Sequence, residues 1–283
     1  MINFDAPFYV LSPAKLNLFL HICGRLENGY HHLQTLFQLL DYGDTIGFKL
    51  IEAPKIHLLN PIAGVNNADN LLLKAANALL PYKNSPFGIE LSIDKRLPMG
   101  GGIGGGSSNA ATVLLALNQA WECRLSIDEL AEIGLKLGAD VPVFVRGRTA
   151  FASGVGEALT PVELSTRTYL VATPKTHIST QAIFNHPDLP RNTPEIAFSD
   201  YSFEQTRNDC EILVSKMDSK VANLLQWLLN YAPSRMTGTG ASVFAIFDNE
   251  DDAKQILKLL PDGISGFIAK GVNYSSAHKS LDL

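Results

Sequence analysis

The sequence predicts an α+β fold arranged as two domains. Its 283 residues are enough for two domains, or for one large one, with a sizeable hydrophobic core. In the first half, a strand pattern, a glycine-rich run and two helical patterns follow one another. In the second half, helical and strand patterns alternate, which is typical of a split βαβ, ferredoxin-like domain. A boundary near 159–161 divides the chain into domains at 1–160 and 161–283.

The first strand pattern spans residues 14–22. Ala14, Leu16, Leu18, Leu20 and Ile22 share one face, while Lys15, Asn17, Phe19 and His21 share the other. From periodicity alone, the face that carries Lys15 is most simply a solvated strand face.

A second strand pattern leads into the most unusual segment of the chain. Ile89, Leu91 and Ile93 alternate with polar residues, and positions 100–106 then hold six glycines in seven residues. Each glycine costs conformational entropy but lets the backbone approach a ligand closely, so this run favours a phosphate-binding loop. Ser107, Ser108 and Asn109 are good N-cap residues for an apolar helix over 110–121. The N-terminus of such a helix attracts anions.

Two familiar phosphate loops are excluded by the neighbouring residues. A Walker A loop ends in Gly-Lys-Ser/Thr, whereas this run ends in Gly-Ser-Ser-Asn without a lysine. Gly100, Gly102 and Gly105 match the dinucleotide fingerprint, but that unit needs a second parallel strand after its helix. Here Ser126 and Glu129 form a capping box that opens another helix over 127–137, and Gly138 suits its end.

The remaining elements follow from the same patterns. Asp140 stands between the helix stop and an apolar segment, 141–144, that we interpret as a strand. The later predictions are a strand at 168–173, a long helix at 215–230, a strand at 242–247, a helix at 250–260 and a strand at 265–271.

Three segments resemble motifs of the GHMP kinases. These are Ser-Pro-Ala-Lys-Leu-Asn-Leu at 12–18, the run from Pro98 to Asn109, and Met-Thr-Gly-Thr-Gly-Ala-Ser-Val-Phe at 236–244. The central run is more glycine-rich than the usual Pro-x-x-x-Gly-Leu-x-Ser-Ser-Ala of the family. A fourth segment, Gly-Tyr-His-His-Leu-Gln-Thr-Leu-Phe at 29–37, resembles a member whose substrate carries cytidine. The resemblance implies a ribosomal-protein-like first domain, a ferredoxin-like second domain and ATP-dependent phosphorylation of a small-molecule hydroxyl.

The resemblance also implies an ATP site and two catalytic residues. The residues expected to bind ATP are Pro98, Met99, Gly100, Gly101, Gly102, Ile103, Gly104, Gly105, Gly106, Ser107 and Ser108, with Asn70 and Lys95 near the adenosine. Lys15 would stabilise charge on the transferred phosphoryl group, and Asp140 would accept or orient the proton of the acceptor hydroxyl. Without the family, Asp140 is simply a helix or turn cap.

The implied substrate site draws on three parts of the chain. Tyr30 and His31, after the turn signal Asn28-Gly29, and Phe184 would hold the cytidine, although spacing alone favours Phe184 as a core residue. Asn17, Gly238 and Gly240 would also bind substrate, while the two glycines are equally consistent with an ordinary tight turn.

Composition narrows the class of protein further. A formal net charge of −5 disfavours a nucleic-acid partner, and no run reaches the 18 apolar residues of a membrane span. The start Met1–Asp5 lacks the basic region of a signal peptide, so we expect a cytoplasmic chain. We also expect a monomer or a weak homodimer, although no sequence feature indicates which. The three cysteines, Cys23, Cys123 and Cys210, are expected to be reduced small hydrophobes.

Cofactors and rival functions complete the expectations. ATP and Mg²⁺ are the expected cofactors, although no acidic pair predicts a protein metal site. The alternatives are a non-catalytic nucleotide-binding regulator and another GHMP kinase, acting on homoserine or mevalonate.

Overall fold

The computed structural model describes residues 6–27 and 29–283. The expectations that concern Met1–Asp5 and the turn residue Asn28 therefore lie outside the described residues. The strands are β1 (Phe8–Arg25), β2 (His31–Ile51), β3 (Ile56–Leu58), β4 (Gly88–Asp94), β5 (Ala150–Ser153), β6 (Ala158–Pro161), β7 (Thr168–Pro174), β8 (Ser234–Met236), β9 (Val243–Phe247) and β10 (Ile264–Val272). The helices are α1 (Leu71–Leu79), α2 (Gly105–Ala120), α3 (Ile127–Leu137), α4 (Val141–Arg146), α5 (Thr180–Asn185), α6 (Glu211–Met217), α7 (Ser219–Leu229), α8 (Glu250–Lys258) and α9 (Ser276–Ser280).

The long strand β2 organises the first half of the chain. It pairs antiparallel with β1 along its length, and its C-terminal part pairs with β4 in a register that joins Thr45 to Asp94. The short strand β5 pairs with the N-terminal part of β2, and β3 adds to β4 in parallel. Helices α1 to α4 cover one face of this sheet and contribute buried residues to the first hydrophobic core.

The second half folds as the expected ferredoxin-like unit. The chain order β7, α6–α7, β8, β9, α8, β10 gives the sheet order β10-β7-β9-β8, and every pair in it is antiparallel. Leu170 and Ala172 of β7 face a core that includes α7, whereas Tyr169 and Val171 face a third core shared with β1 and β2. Because β7 is buried on both faces, its central residues 169–172 are hydrophobic in an unbroken run rather than alternating.

The two sheets join through the last strand. After pairing with β7, β10 pairs Gly271 and Val272 with Leu40 and Leu39 of β2. The segment that follows returns to the first core, where Ala277 and Leu281 are buried. The division at residue 160 stays a prediction, and these last residues show that the two halves are interlocked.

Several predicted elements are confirmed. Strand β4 has Ile89, Leu91 and Ile93 buried on one face. Helix α3 begins with the expected capping box, in which Ser126 and Glu129 bond to each other's backbone, and it ends at Gly138. The three cysteines are free thiols.

Two predictions are wrong at helix ends. Helix α2 begins at Gly105 with Gly104 as its N-cap, so Ser107, Ser108 and Asn109 lie in its first turn and do not cap it. The long helix predicted at 215–230 is two helices, because Asp218 leaves the helical region (φ −135°) and its carboxylate caps α7.

The segment after Asp140 is a helix and not a strand. The β-branched residues of 141–145 favoured a strand, but Pro142 suits the first turn of a helix and α4 forms there. This helix is buried against α2 and α3, so it is apolar on every side. Asp140 becomes its N-cap residue, although its side chain makes no capping hydrogen bond.

The interpretation of the Lys15 face as solvated is also wrong. Lys15 is only 2% exposed, and Asn17 and His21 are buried beside it. The pairing register of β1 shifts between Asn17 and Leu20, which breaks the simple alternation of faces. No helix within the described ranges 6–27 and 29–283 is long and apolar enough to span a membrane.

Candidate active site

Two cavities meet at the N-terminus of α2. The larger, of about 510 Å³, extends from Lys15 and Asp140 to Tyr30 and Phe184, and we call it the acceptor cavity. The smaller, of about 350 Å³, lies over the glycine run and we call it the loop cavity. Gly102, Gly104 and Ser107 line both, so a molecule in one can reach a molecule in the other at this point.

The glycine run takes a shape that side chains would prevent. Gly100, Gly102 and Gly104 have φ values of 69°, 72° and 74°, in the left-handed region that favours glycine. A Cβ on Gly102 would lie 2.5 Å from the carbonyl oxygen of Thr237, and one on Gly104 would lie 2.7 Å from the ring of Phe144. The loop is therefore held closely between the second domain and α4.

A buried carboxylate anchors both ends of the loop. Asp44 is fully buried and accepts hydrogen bonds from the backbone N–H groups of Arg96 and Leu97, at 2.8 Å each. It also accepts from Asn109 Nδ2 at 2.9 Å and forms an ion pair of 2.8 Å with Lys95 Nζ. One side chain thus ties the entrance of the loop to the first turn of α2.

The loop cavity gathers nearly all the residues expected to bind ATP. Its lining includes Asn70, Lys95, the whole run from Pro98 to Gly106, and Ser107. Ser108 is absent from the lining, because its side chain is buried and its hydroxyl accepts a 2.9 Å hydrogen bond from Ser12 Oγ. Backbone amides at the start of α2 and the positive end of its dipole make this surface suited to an anion.

Asn70 adds a feature that points to a ligand. Its side-chain oxygen caps α1 by accepting from the N–H of Leu72 at 2.9 Å. Its Nδ2 is buried and has no hydrogen-bond partner within residues 6–27 and 29–283. A buried donor left unpaired is costly, so a bound molecule that supplies an acceptor would satisfy it.

Lys15 and Asp140 form an ion pair at the inner end of the acceptor cavity. Lys15 Nζ lies 3.2 Å from Asp140 Oδ2, and it donates to Asn17 Oδ1 at 2.5 Å and to the carbonyl oxygen of Gly102 at 3.2 Å. The side chain of Asp140 is 35% exposed, whereas that of Lys15 is 3% exposed. The buried ammonium group of Lys15, fixed by these contacts, can stabilise charge on a phosphoryl group, while the accessible carboxylate of Asp140 can receive a proton.

Aromatic side chains line the outer end of the same cavity. The rings of His31 and Phe184 lie 5.2 Å apart at 35°, and Tyr30 is 65% exposed at the rim. Burial, and then the charges of Arg191 and Arg25, lower the pKa of His31 below its ordinary 6.5. His31 is therefore neutral at pH 7. Phe184 is partly buried: it lines the cavity and also packs against the second hydrophobic core.

The structure separates the two glycines of the C-terminal motif. Gly238 lines the acceptor cavity and packs against the backbone of Gly102. Gly240 is not part of the lining; its carbonyl oxygen lies close to Gly102, and its Cα side faces Met236 and Val214. It lies in a tight turn, in which its N–H donates to the carbonyl oxygen of Thr237 at 3.0 Å, and a role in substrate binding stays a prediction.

Other residues of the cavity were missed by sequence reasoning. Thr180 and Thr239 line it with hydroxyls 2.9 Å apart, and Arg191 lies behind His31. Thr239 lies within the motif at 236–244, which could have indicated it, whereas Thr180 and Arg191 lie outside every motif and periodic pattern. No cluster of three or more His, Cys, Asp or Glu suited to a metal occurs in the described part of the chain.

Comparison with known proteins shows the family. The model of the GHMP kinase N-terminal domain matches residues 70–148, and that of the C-terminal domain matches residues 194–262. The chain belongs to the GHMP kinases and is an ATP-dependent small-molecule kinase.

Individual relatives make the comparison more specific. The chain is 59% identical over 270 residues to the 4-diphosphocytidyl-2-C-methyl-D-erythritol kinase of Pseudoalteromonas atlantica, covering 95% of this chain and 94% of that one. It matches a crystal structure of 4-(cytidine 5'-diphospho)-2C-methyl-D-erythritol kinase with a TM-score of 0.83 and 28% identity, over 94% of this chain and 100% of the other. The mevalonate kinase of Methanococcus jannaschii matches with a TM-score of 0.67 and 17% identity, over 95% and 99% of the two chains, which shows the fold alone.

Proposed function

We propose that this kinase transfers the γ-phosphoryl group of ATP to the 2-hydroxyl of 4-diphosphocytidyl-2-C-methyl-D-erythritol, in the non-mevalonate route to isoprenoid precursors. The observation that carries the proposal is the single acceptor cavity, which joins the Lys15–Asp140 pair to an aromatic pocket large enough for a base. The 59% identity to a kinase named for this substrate supports it.

ATP would occupy the loop cavity. The backbone N–H groups of the glycine run and the N-terminus of α2 would bind its phosphates, and Asn70 and Lys95 would lie toward the adenosine. The shared residues Gly102, Gly104 and Ser107 would then hold the γ-phosphoryl group at the mouth of the acceptor cavity.

Few protein oxygens at this site are available to bind Mg²⁺. The hydroxyl of Ser107 lines both cavities, and Mg²⁺ commonly binds through one or two protein oxygens together with nucleotide phosphates. Ser107 and the phosphates would hold the ion, which would neutralise charge on the β- and γ-phosphates.

The chemistry follows from the Lys15–Asp140 pair. Asp140 accepts the proton of the acceptor hydroxyl as its oxygen bonds to the γ-phosphorus, and the bond to the β-phosphate oxygen breaks to release ADP. Lys15, held by Asn17 and the Gly102 carbonyl, stabilises the charge that spreads over the transferred group. Positioning and electrostatics account for catalysis without a covalent intermediate.

The cytidine would occupy the outer end of the acceptor cavity. Tyr30 and Phe184 offer aromatic faces for stacking, and the neutral His31 offers a hydrogen bond to the base edge. Asn17 and Gly238 would contact the part of the substrate that lies near the phosphoryl group.

A coupled ADP-release assay tests this function. Purified protein is given ATP and Mg²⁺ with 4-diphosphocytidyl-2-C-methyl-D-erythritol, homoserine or mevalonate in parallel. We expect ADP only with the cytidylyl substrate. Release with homoserine or mevalonate would assign another kinase of the family, and ATP binding without release for any acceptor would favour a nucleotide-binding regulator.

A further inference from the structure

Arg191 lies directly behind the base pocket and contacts His31. Its Nε donates to His31 Nε2 at 3.0 Å. Its two terminal nitrogens donate to four carbonyl oxygens at and just after the end of α5: those of Phe184 at 2.9 Å, His186 at 2.8 Å, Leu189 at 2.9 Å and, more weakly, Pro187 at 3.5 Å. The guanidinium is therefore fixed in place by backbone acceptors, and its remaining direction of donation is toward the imidazole.

This contact determines where His31 carries its proton. A guanidinium has five N–H donors, no acceptor, and does not lose its charge in proteins. Nε2 of His31 must therefore be the acceptor of the pair, which leaves the single proton of the neutral ring on Nδ1. The charge of Arg191 and the burial of the ring lower the pKa of His31, which agrees with a neutral imidazole.

We propose that Arg191 is a positioning residue that fixes His31 as a neutral Nδ1–H donor and thereby makes the pocket select cytosine over uracil. The inference rests on the proposed function, since it takes the base to lie against His31. N3 of cytosine is an acceptor and can receive the Nδ1 proton. N3 of uracil carries a hydrogen, so two donors would face each other in a buried pocket, and an unpaired buried donor is strongly disfavoured.

A purely structural role for Arg191 makes a different prediction. Arg191 also holds the turn that carries Phe184, so its loss could displace the ring that stacks on the base. Stacking does not distinguish the two pyrimidines, because each has a π-face. A structural role therefore lowers the affinity for cytosine and uracil compounds by the same factor, whereas the proposed role changes their ratio.

The tautomer is measured directly by NMR. Protein labelled with ¹⁵N-histidine gives long-range ¹H–¹⁵N correlations that distinguish the Nδ1–H ring from the Nε2–H ring, and His31→Gln identifies the signals of His31 among the seven histidines. We expect the Nδ1–H form in the wild type at neutral pH. An Nε2–H or doubly protonated ring would overturn the proposal without the need for any Arg191 variant.

Binding of CDP and UDP measures the selection. We expect the wild type to prefer CDP, and Arg191→Met to reduce that preference by about tenfold, as for one lost hydrogen bond. Arg191→Lys, whose ammonium also only donates, should retain the Nδ1–H signal and most of the preference. Arg207→Met is the matched control: it removes the same charge and a hydrogen bond to Thr193 of the same segment, but Arg207 pairs with Asp209, and the preference should not change.

The outcomes separate this inference from the proposed function. Turnover of the cytidylyl substrate with equal affinity for CDP and UDP would keep the function and overturn the selection. An equal loss of both affinities in Arg191→Met would assign Arg191 a structural role only. Absence of turnover in the ADP-release assay, with a CDP preference that falls in Arg191→Met, would support the selection and overturn the kinase reaction.

Discussion

The two cavities of this kinase are built in opposite ways. The loop cavity is formed mainly by one continuous stretch of backbone, 98–107, whose glycines bring N–H groups to its surface. Apart from the residues it shares with the loop cavity, the acceptor cavity is formed mainly by side chains from β1, β2, α5 and the N-terminus of α4, which are far apart in sequence. The first site therefore depends on conformation and the second on side-chain chemistry.

This difference indicates how each cavity tolerates change. A site built from backbone loses affinity when an added Cβ disturbs its shape, and the identity of the new side chain matters little. A side-chain site loses one function for each residue replaced, because its residues have separate roles. Substitutions in the two cavities should therefore separate the kinetic constants for ATP from those for the acceptor.

The largest expected effect is that of Asp140→Asn. The amide keeps the size of the side chain but cannot take the hydroxyl proton, so kcat should fall by about 10²- to 10⁴-fold while ATP binding is nearly unchanged. Turnover and ATP titrations measure both. Asp128→Asn, an exposed acid that pairs with Arg146, is the control and should retain full activity. If Asp140→Asn retained its turnover, Asp140 would have no role in the reaction.

Gly104→Ala tests the backbone character of the loop cavity. The added Cβ would meet the Phe144 ring at 2.7 Å and Lys15 Cγ at 3.1 Å, at a φ of +74°. We expect a loss of about 1–3 kcal/mol of stability and a raised KM for ATP.

Gly263→Ala is the matched control for this glycine. Its φ is +80° but nothing lies within 4 Å of the new Cβ, so it carries the backbone strain without the contact. Thermal unfolding should show a smaller loss of stability, and the KM for ATP should stay at the wild-type value. Equal effects of Gly104→Ala and Gly263→Ala on the KM for ATP would show that ATP binding does not depend on the conformation of the glycine run.

Tyr30→Ala tests the outer end of the acceptor cavity. Loss of an aromatic side chain that stacks on a base weakens binding by about 1–3 kcal/mol. The KM for the cytidylyl substrate should therefore rise about 10- to 100-fold, and the KM for ATP should change little. Tyr9→Ala is the control, because Tyr9 is 67% exposed, like Tyr30 at 65%, but lies outside both cavities. A parallel rise in both KM values would refute the base pocket.

Asp218→Ala should give the smallest effect, on stability alone. Burial by itself would raise the pKa of Asp218, but hydrogen bonds from Thr176 and from the N–H groups of Val221 and Lys220 outweigh it, and the pKa is lowered. A lowered pKa in the folded state contributes stability above the unfolded value, and the contribution is lost as the pH falls through the folded value.

The expected loss in Asp218→Ala is about 1 kcal/mol at neutral pH, as for a lost N-cap, and it should shrink in acid. Urea unfolding at several pH values measures it. Asp218→Asn retains a capping oxygen and should lose less. A change in either KM would show that stability and binding are coupled, which would weaken the separation of the two cavities.

The same difference explains what the sequence could predict. The loop cavity was predicted almost entirely from residues 98–107, because a glycine run of this density has few other uses and its neighbours lie next to it in the chain. The N-cap of α2 was misplaced, because good capping side chains masked a glycine whose left-handed conformation begins the helix.

The acceptor cavity was predicted only through the family resemblance. Periodicity placed Lys15 on a solvated face, since no local pattern shows that a second domain packs against β1. Asp140 was singled out only through the resemblance, and it does line the cavity, but the helix that follows it was taken for a strand. Arg191 donates a hydrogen bond to His31, which is 160 positions away in the sequence, and no motif or spacing in a single sequence predicts such a contact.

The pairing of β10 with β2 also affects when the protein can fold during its synthesis. Ala277 and Leu281 complete the core under β4 and α2, and the carbonyl oxygen of Leu281 accepts a 2.8 Å hydrogen bond from Gln119. A chain leaves the ribosome from its N-terminus, so the first core must wait for nearly the whole sequence before it can close. Until then its apolar surface stays exposed, a state in which nascent chains depend on chaperones. The glycine run, although synthesised early, gains its full set of neighbours among the last steps of folding.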